Sequence, residues 1–368
     1  MNRIAFATWT LVLFAVAFTQ VSVAFTFPNN ELESVAVAAS GDVWAVGTSS
    51  GTSTARGLIE HWDSVSWKVI PSANPGAAIY GFHGVAVASS NDVWAVGYSQ
   101  ASAGAPFQTL IERWNGSAWS VVSSPNRSAN ISSLFAVTVI SSTNVWTVGY
   151  SGDQNTVTYQ TLVEHWNGNQ WQIVASPNSG ISTMLTGVSG TSANDIWAAG
   201  WFTQARGNRT QLTEHWNGSA WSVVAGVNRG GSEARRGILA LASNNAWSTG
   251  PNLTEQWNGS SWSLVMTPSV YNILTGLTAN SASDIWAVGR EYINTSNTYF
   301  TLVERWNGSQ WSIVTSPSPG VSFNALYGGA VASPNDVWAV GTFADSSGNE
   351  QTLAEHWNGS NWSVVPTP

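Results

Sequence analysis

Seven glutamates recur in one setting, L-x-E-[HRQ]-W: Glu60, Glu112, Glu164, Glu214, Glu255, Glu304 and Glu355. In four copies a histidine follows, at His61, His165, His215 and His356. Carboxylates beside imidazoles are the materials of general acid–base catalysis and of metal ligation. The spacing argues against both. An active site is a single constellation, whereas these residues fall one per repeat and cannot converge on one substrate or one ion. A buried carboxylate must be met by donors. The glutamates are therefore expected to be structural, accepting from backbone N–H groups or an indole N–H of the same or the next repeat. Arg113, Arg305 and Gln256 replace histidine elsewhere, as befits a half-exposed polar position. His83 stands outside the pattern and reads as a loop residue, not a general base. No catalytic residue, metal site or cofactor is expected.

Arginine does cluster. Arg206, Arg209, Arg229, Arg235 and Arg236 lie within 31 residues of one another, near Trp201 and Phe202. Guanidinium groups beside an aromatic ring suit a carboxylate, a sulfate or an anionic sugar. The expected ligand-binding residues are these five arginines with Trp201, all placed on loops.

The composition narrows the field. The chain has 368 residues, no cysteine, one lysine (Lys68) and a net charge of −8. Disulfides, thiolate metal sites and a thiol nucleophile are excluded, and a chain so poor in cations is not built for a nucleic-acid backbone. Residues 1–24 resemble a secretory leader. Arg3 is followed by an apolar run from Ile4 to Phe18, and Ser22-Val23-Ala24 precedes a cleavage point expected before Phe25. The chain is thus expected to be extracellular or at the cell surface. Membrane contact is expected only where the leader is retained as a hydrophobic arm.

Tryptophan supplies the organisation. A D-V-W-A-V-G box places Trp at 44, 94, 146, 197, 247, 286 and 338. The L-x-E-[HRQ]-W segment adds Trp at 62, 114, 166, 216, 257, 306 and 357, and a third Trp follows five residues after each. These account for 21 of the 23 tryptophans, leaving Trp9 and Trp201. Each repeat parses into four short strands punctuated by Asn-Gly and Pro, and Asn-Gly is read as a two-residue type I′ hairpin turn. The fold expected over residues 25–368 is an all-β, seven-bladed β-propeller with four antiparallel strands per blade. The blades fall at about 31–75, 76–127, 128–179, 180–229, 230–269, 270–319 and 320–368. Recurring tryptophans are expected between blades.

This order of anchors resembles Kelch-like repeats, in which an apolar strand ends in glycine and a strand ending in an aromatic residue precedes a further Trp. The resemblance implies a propeller, in a family composed mostly of protein-binding platforms with a few enzymes. Where such a repeat shows two glycines, Gly47, Gly97, Gly149, Gly200, Gly250, Gly289 and Gly341 each stand alone.

Function is therefore expected where the repeats disagree, in the segments Thr48–Gly57, Tyr98–Gln108, Tyr150–Gln160, Trp201–Gln211, Arg290–Phe300 and Thr342–Gln351, read as loops on one face. In the fifth repeat this segment shrinks to about Pro251-Asn252, opening a notch in the rim. The reading is a non-catalytic module binding a glycan or a protein. The alternatives are a filament or surface-layer subunit that self-associates into a homopolymer, and a carbohydrate-active enzyme. Among eleven N-x-[ST] sequons, Asn126, Asn130, Asn208 and Asn294 lie in variable segments and are the better glycosylation candidates.

Overall fold

The computed structural model describes residues 29–368, apart from 52–53, 128–130, 154, 157, 205–206, 228–233 and 235. The leader, Arg206, Arg229, Arg235 and Asn130 lie outside the described residues. Seven four-stranded antiparallel sheets form the blades of a propeller, each built from contiguous sequence and ordered first to fourth strand outward from a central channel. In blade 2 these strands are Ile79–Ser89, Asp92–Gln100, Gln108–Trp114 and Trp119–Val121. Among the described residues no strand is exchanged between blades 1 and 7. The ring closes through side chains instead. Leu32, Val35, Val43 and Trp67 of blade 1 pack with Ala330, Trp338 and Val340 of blade 7, and Ser40 Oγ donates to Asp336 at 2.7 Å.

One indole contact recurs at every joint. The box Trp of each blade lies against the two tryptophans of the next, tilted to one and edge-on to the other. Trp94 stands 5.1 Å from Trp166 and 5.3 Å from Trp171. Trp338 closes the circle at 5.1 Å from Trp62 and 5.3 Å from Trp67. Both faces of the third strand are therefore packed, where alternation alone suggests one. Leu110 joins the core facing blade 1, while its neighbour Ile111 joins the core facing blade 3.

The position after each glutamate completes the joint. His61, His215 and His356 each meet the carboxylate that opens the box, at 2.7 Å to Asp42, 2.8 Å to Asp195 and 2.9 Å to Asp336. His165 meets Asn144, and Gln256 meets Asn245. Arg113 makes a two-pronged pair with Asp92, and its guanidinium lies 4.6 Å from the Trp94 ring. The group also covers the box indole where histidine stands, His61 lying 4.2 Å from Trp44. These histidines are spacers over tryptophan.

The Asn-Gly turns differ from the expected type. Trp114 pairs with Trp119, so four residues form the loop, and of Asn115 and Gly116 the glycine alone has positive φ, at 94°. Asn115 Oδ1 accepts from the N–H groups of Ser117 and Ala118, closing the loop with its side chain.

The lone glycine of each box has a specific cause. The innermost strand carries a β-bulge, seen as a register shift between Leu32 and Ser34, Phe82 and Gly84, Leu185 and Gly187, Leu274 and Gly276, and Leu326 and Gly328. The chain turned inward by the bulge drives a carbonyl oxygen toward the box. A Cβ on Gly97 would lie 2.0 Å from the Gly81 oxygen, and one on Gly47 1.9 Å from the Glu31 oxygen. Only glycine admits the approach.

Two outcomes follow for purified variants. Trp94→Ala, which empties one joint, is expected to lower unfolding stability by about 3–5 kcal/mol in chemical denaturation. Gly97→Ala is expected to destabilise comparably although it adds one methyl group; a Gly97→Ala protein with unchanged stability would remove the bulge argument.

Candidate functional site

The bulges decide what faces the channel. The extra residue in each innermost strand is Glu33, His83, Phe135, Thr186, Thr275 or Tyr327 in blades 1, 2, 3, 4, 6 and 7. Arg236 holds the equivalent place in blade 5, its N–H donating to Thr249 at 2.9 Å just ahead of the strand Gly237–Ala242. All seven line one cavity of about 370 Å3 at the channel mouth. Side chains projecting from the far ends of the second strands join them, including Thr48, Tyr98, Tyr150, Trp201 and Arg290.

Several sequence expectations change here. Trp201 is not a loop residue: it lies in the strand Asp195–Thr203, paired with Met184 and Gln211. Arg209 opens the strand Arg209–Trp216. His83 lies within the strand Ile79–Ser89. The variable segments are mostly hairpin arms, because the second strands run on past the box glycine, as in Asp92–Gln100 and Asp284–Ile293. In blade 5 that extension is missing: the second strand ends at Gly250, and the third begins at Leu253. Of the arginine cluster, Arg209 and Arg236 reach the cavity together with Trp201. Arg290 joins them, although sequence reasoning left it out. The signals were available. Arg290 stands four positions after its box Trp, as Thr48, Tyr98, Tyr150 and Trp201 do, and each bulge residue stands eleven positions before its box Trp and differs in kind from blade to blade.

Charge is divided across the cavity. Arg209, Arg236 and Arg290 come from blades 4, 5 and 6. The Arg209 guanidinium lies 4.2 Å from the Trp201 ring, and Arg290 lies between Tyr299 and Phe323 at 5.5 and 5.4 Å. The Nε atoms of Arg236 and Arg290 are sealed from solvent and have no hydrogen-bond partner among the described residues. Burial, and then the neighbouring Arg290, pull the Arg236 guanidinium down to about 10. On the opposite side Glu31 and Glu33 come from blade 1. Burial, with Glu33 and Glu350 nearby, holds the Glu31 carboxyl well above its ordinary range. Glu33 meets His83 Nδ1 at 2.7 Å.

Between these walls runs an aromatic arc. The His83 ring is 5.2 Å from Tyr98 and 4.9 Å from Phe135, and Phe135 is 5.7 Å from Tyr150. Such a cavity offers apolar contact flanked by opposite charges, the composition of a ligand pocket more than of a packed core.

The repeat glutamates sit elsewhere, inside the blades, and all seven are buried. Where donors are present they come from the segment leaving the preceding blade. Both carboxylate oxygens of Glu60 and Glu214 lack a hydrogen-bond partner among the described residues, against the expectation that every copy would have one. The N–H groups of Ala73 and Val227 reach Glu112 and Glu255 at 2.9 and 3.0 Å, and Ser124 Oγ reaches Glu164 at 2.8 Å. Serine hydroxyl thus stands beside backbone N–H where an indole N–H was the expected second donor. Burial pushes Glu60, Glu164, Glu214 and Glu355 up to about 8, and Glu112 and Glu304 up to about 7. Of the sequon candidates, Asn208 and Asn294 are exposed, and Asn126 accepts at Oδ1 from the Thr109 N–H at 3.0 Å.

No family model matches the chain, and no curated protein matches its sequence. Solved structures do share its fold. YCF48 bound to D1 peptide is 13% identical, covering 86% of this chain and 89% of its own, with a TM-score of 0.54. A Dyadobacter fermentans protein of unknown function is 10% identical over 89% and 93%, with a TM-score of 0.55. A Pyrococcus horikoshii acylaminoacyl peptidase is 8% identical over 93% of this chain and 53% of its own, with a TM-score of 0.58. The seven-bladed propeller implied by the Kelch-like resemblance is therefore present, while membership of that family is not shown.

Carboxyls raised in the folded state bind protons that the unfolded chain, with values near 4.5, has released. Stability is then complete below about 4.5 and falls as pH rises through 7 to 8. Melting temperature is expected to decline from pH 5 to 8.5, and less steeply in Glu164→Gln. A profile that rises over this range would contradict the assignment.

Proposed function

We propose that the protein is an extracellular, non-catalytic binding module that takes up a glycan or protein ligand at the mouth of its central channel. One observation carries the reading. Blade joints repeat the same residues seven times, whereas the seven bulge positions are Glu, His, Phe, Thr, Arg, Thr and Tyr, and all reach one cavity. A ring needed only for closure has no use for such variety, but asymmetric recognition does. Variable side chains on a rigid frame are how binding sites are commonly made. The peptide carried by YCF48, a propeller of the same fold, is in keeping with it. The carboxylate–imidazole contact at the cavity, Glu33 to His83, holds a ring that is part of the aromatic arc, which suits recognition more than proton transfer.

The test fills the channel with residues the fold already tolerates there. Blades 3 and 7 carry Phe135 and Tyr327 at the bulge, so Thr186→Tyr with Thr275→Tyr is expected to fold normally. Ligands found on glycan and peptide arrays are expected to lose binding at least about tenfold in this double variant, a change of about 1.4 kcal/mol. Full retention would place binding elsewhere.

A second reading has its own support. The outer strand of each blade leaves its edge unpaired, and Val69, Val121, Val223, Leu264, Ile313 and Val364 are exposed there, between 38% and 52%. Repeated apolar edges suit self-association into a filament or surface layer. Intact mass and sedimentation of the native protein separate the two. A soluble monomer lacking residues 1–24 favours the binding module, and a polymer retaining them favours the structural subunit.

A further inference from the structure

Two walls of the channel mouth carry opposite charge, and neither satisfies the other. No ion pair among the described residues joins Arg209, Arg236 or Arg290 to a carboxylate. The Nε atoms of Arg236 and Arg290 are buried with no hydrogen-bond partner among the described residues, and both side chains line the cavity, Arg290 beside the Tyr299 and Phe323 rings. Glu31 and Glu33 lie together across that cavity, with Glu350 close enough to bear on Glu31. Like charges are thus gathered on each side. A buried charge without a counter-charge is costly. Glu33 already meets His83 Nδ1 at 2.7 Å, but no ion pair among the described residues engages Glu31. A ligand of one sign would therefore relieve one wall and leave the other short of a counter-charge.

Resting on the channel reading above, we infer that the ligand is a peptide segment bearing both signs, with a carboxylate against Arg236 and Arg290, an amine or guanidinium against Glu31 and Glu33, and an apolar side chain between. The middle of the cavity selects the peptide. Phe107, Phe135, Tyr150 and Met184, from blades 2 to 4, stand between the walls, and these apolar surfaces give little to the girdle of hydroxyls on a sugar. A single apolar side chain fits that middle, and flanking charged residues reach the walls. The carboxylate is supplied either by an acidic side chain or by a free chain end.

The experiment uses the full-length protein and hexapeptides randomised over Glu, Lys, Phe, Leu, Ser and Gly. One arm has both ends blocked, and the other leaves the carboxyl end free. Recovered blocked peptides are expected to contain Glu and Lys flanking Phe or Leu; in the free-end arm the chain end replaces Glu. Arg236→Gln with Arg290→Gln is expected to weaken a recovered peptide about tenfold or more and to abolish selection for its carboxylate while keeping selection for Lys. Glu31→Gln with Glu33→Gln is expected to do the reverse. Melting temperatures of both pairs confirm folding. Peptides of a single sign, no enrichment at all, or two variant pairs that shift both preferences together would overturn the inference. The channel-filling pair separates this failure from that of the broader reading. Single-sign peptides that it displaces sink only the two-sign ligand, whereas peptides bound equally well with the channel filled sink the channel as the site.

Discussion

A carbonyl oxygen occupies the space where a side chain at the box glycine would begin, and the site follows from that intrusion. The bulge that brings the oxygen there adds one residue to the innermost strand, and the added residue points into the channel. Six blades show the contact directly, with a Cβ placed between 1.9 and 2.1 Å from the oxygen. Glycine and bulge are therefore two halves of one device. In these six blades the glycine is the same because the paired strand's backbone leaves no alternative, whereas the bulge residue differs from blade to blade because its side chain faces the cavity.

Indole packing supplies the rigidity on which this device relies. Every joint uses the box Trp of one blade as a wedge between two rings of the next, and the last joint is made like the others. Among the described residues the ring closes without a shared strand. The innermost strands are therefore held in place by packing and by side-chain hydrogen bonds, such as Ser34 Oγ accepting from the Val85 N–H and Thr275 Oγ1 donating to the Leu326 carbonyl. A histidine, arginine or glutamine anchored to the Asp or Asn that opens the box lies beside this wedge. The polar residues that looked most like chemistry are thus spent on the joints.

The division of labour explains where sequence reasoning succeeded. Blade number, strand order and the burial of the seven glutamates follow from a repeated phrase, because equivalent residues cannot all serve one site. It also explains the misplacements. Trp201 looks like a loop residue because strand signals weaken beyond the box glycine, and His83 because Gly81 and Gly84 flank it, yet Trp201 is paired in the ladder and His83 is a bulge within it. Arg290 was passed over because it sits far from the arginine cluster in sequence, although a closed ring sets blade 6 beside blade 5.

The sequence by itself determined the frame: seven copies of three tryptophans, one glutamate and one glycine dictate seven blades, since each copy can bury its rings only against another. It also held the site residues, at a constant eleven positions before each box Trp. Only the tertiary structure decided that these residues meet. A bulge is a property of two paired strands, and convergence on one cavity is a property of a closed ring, so neither is written in the local run of residues that contains Glu33, Arg236 or Tyr327.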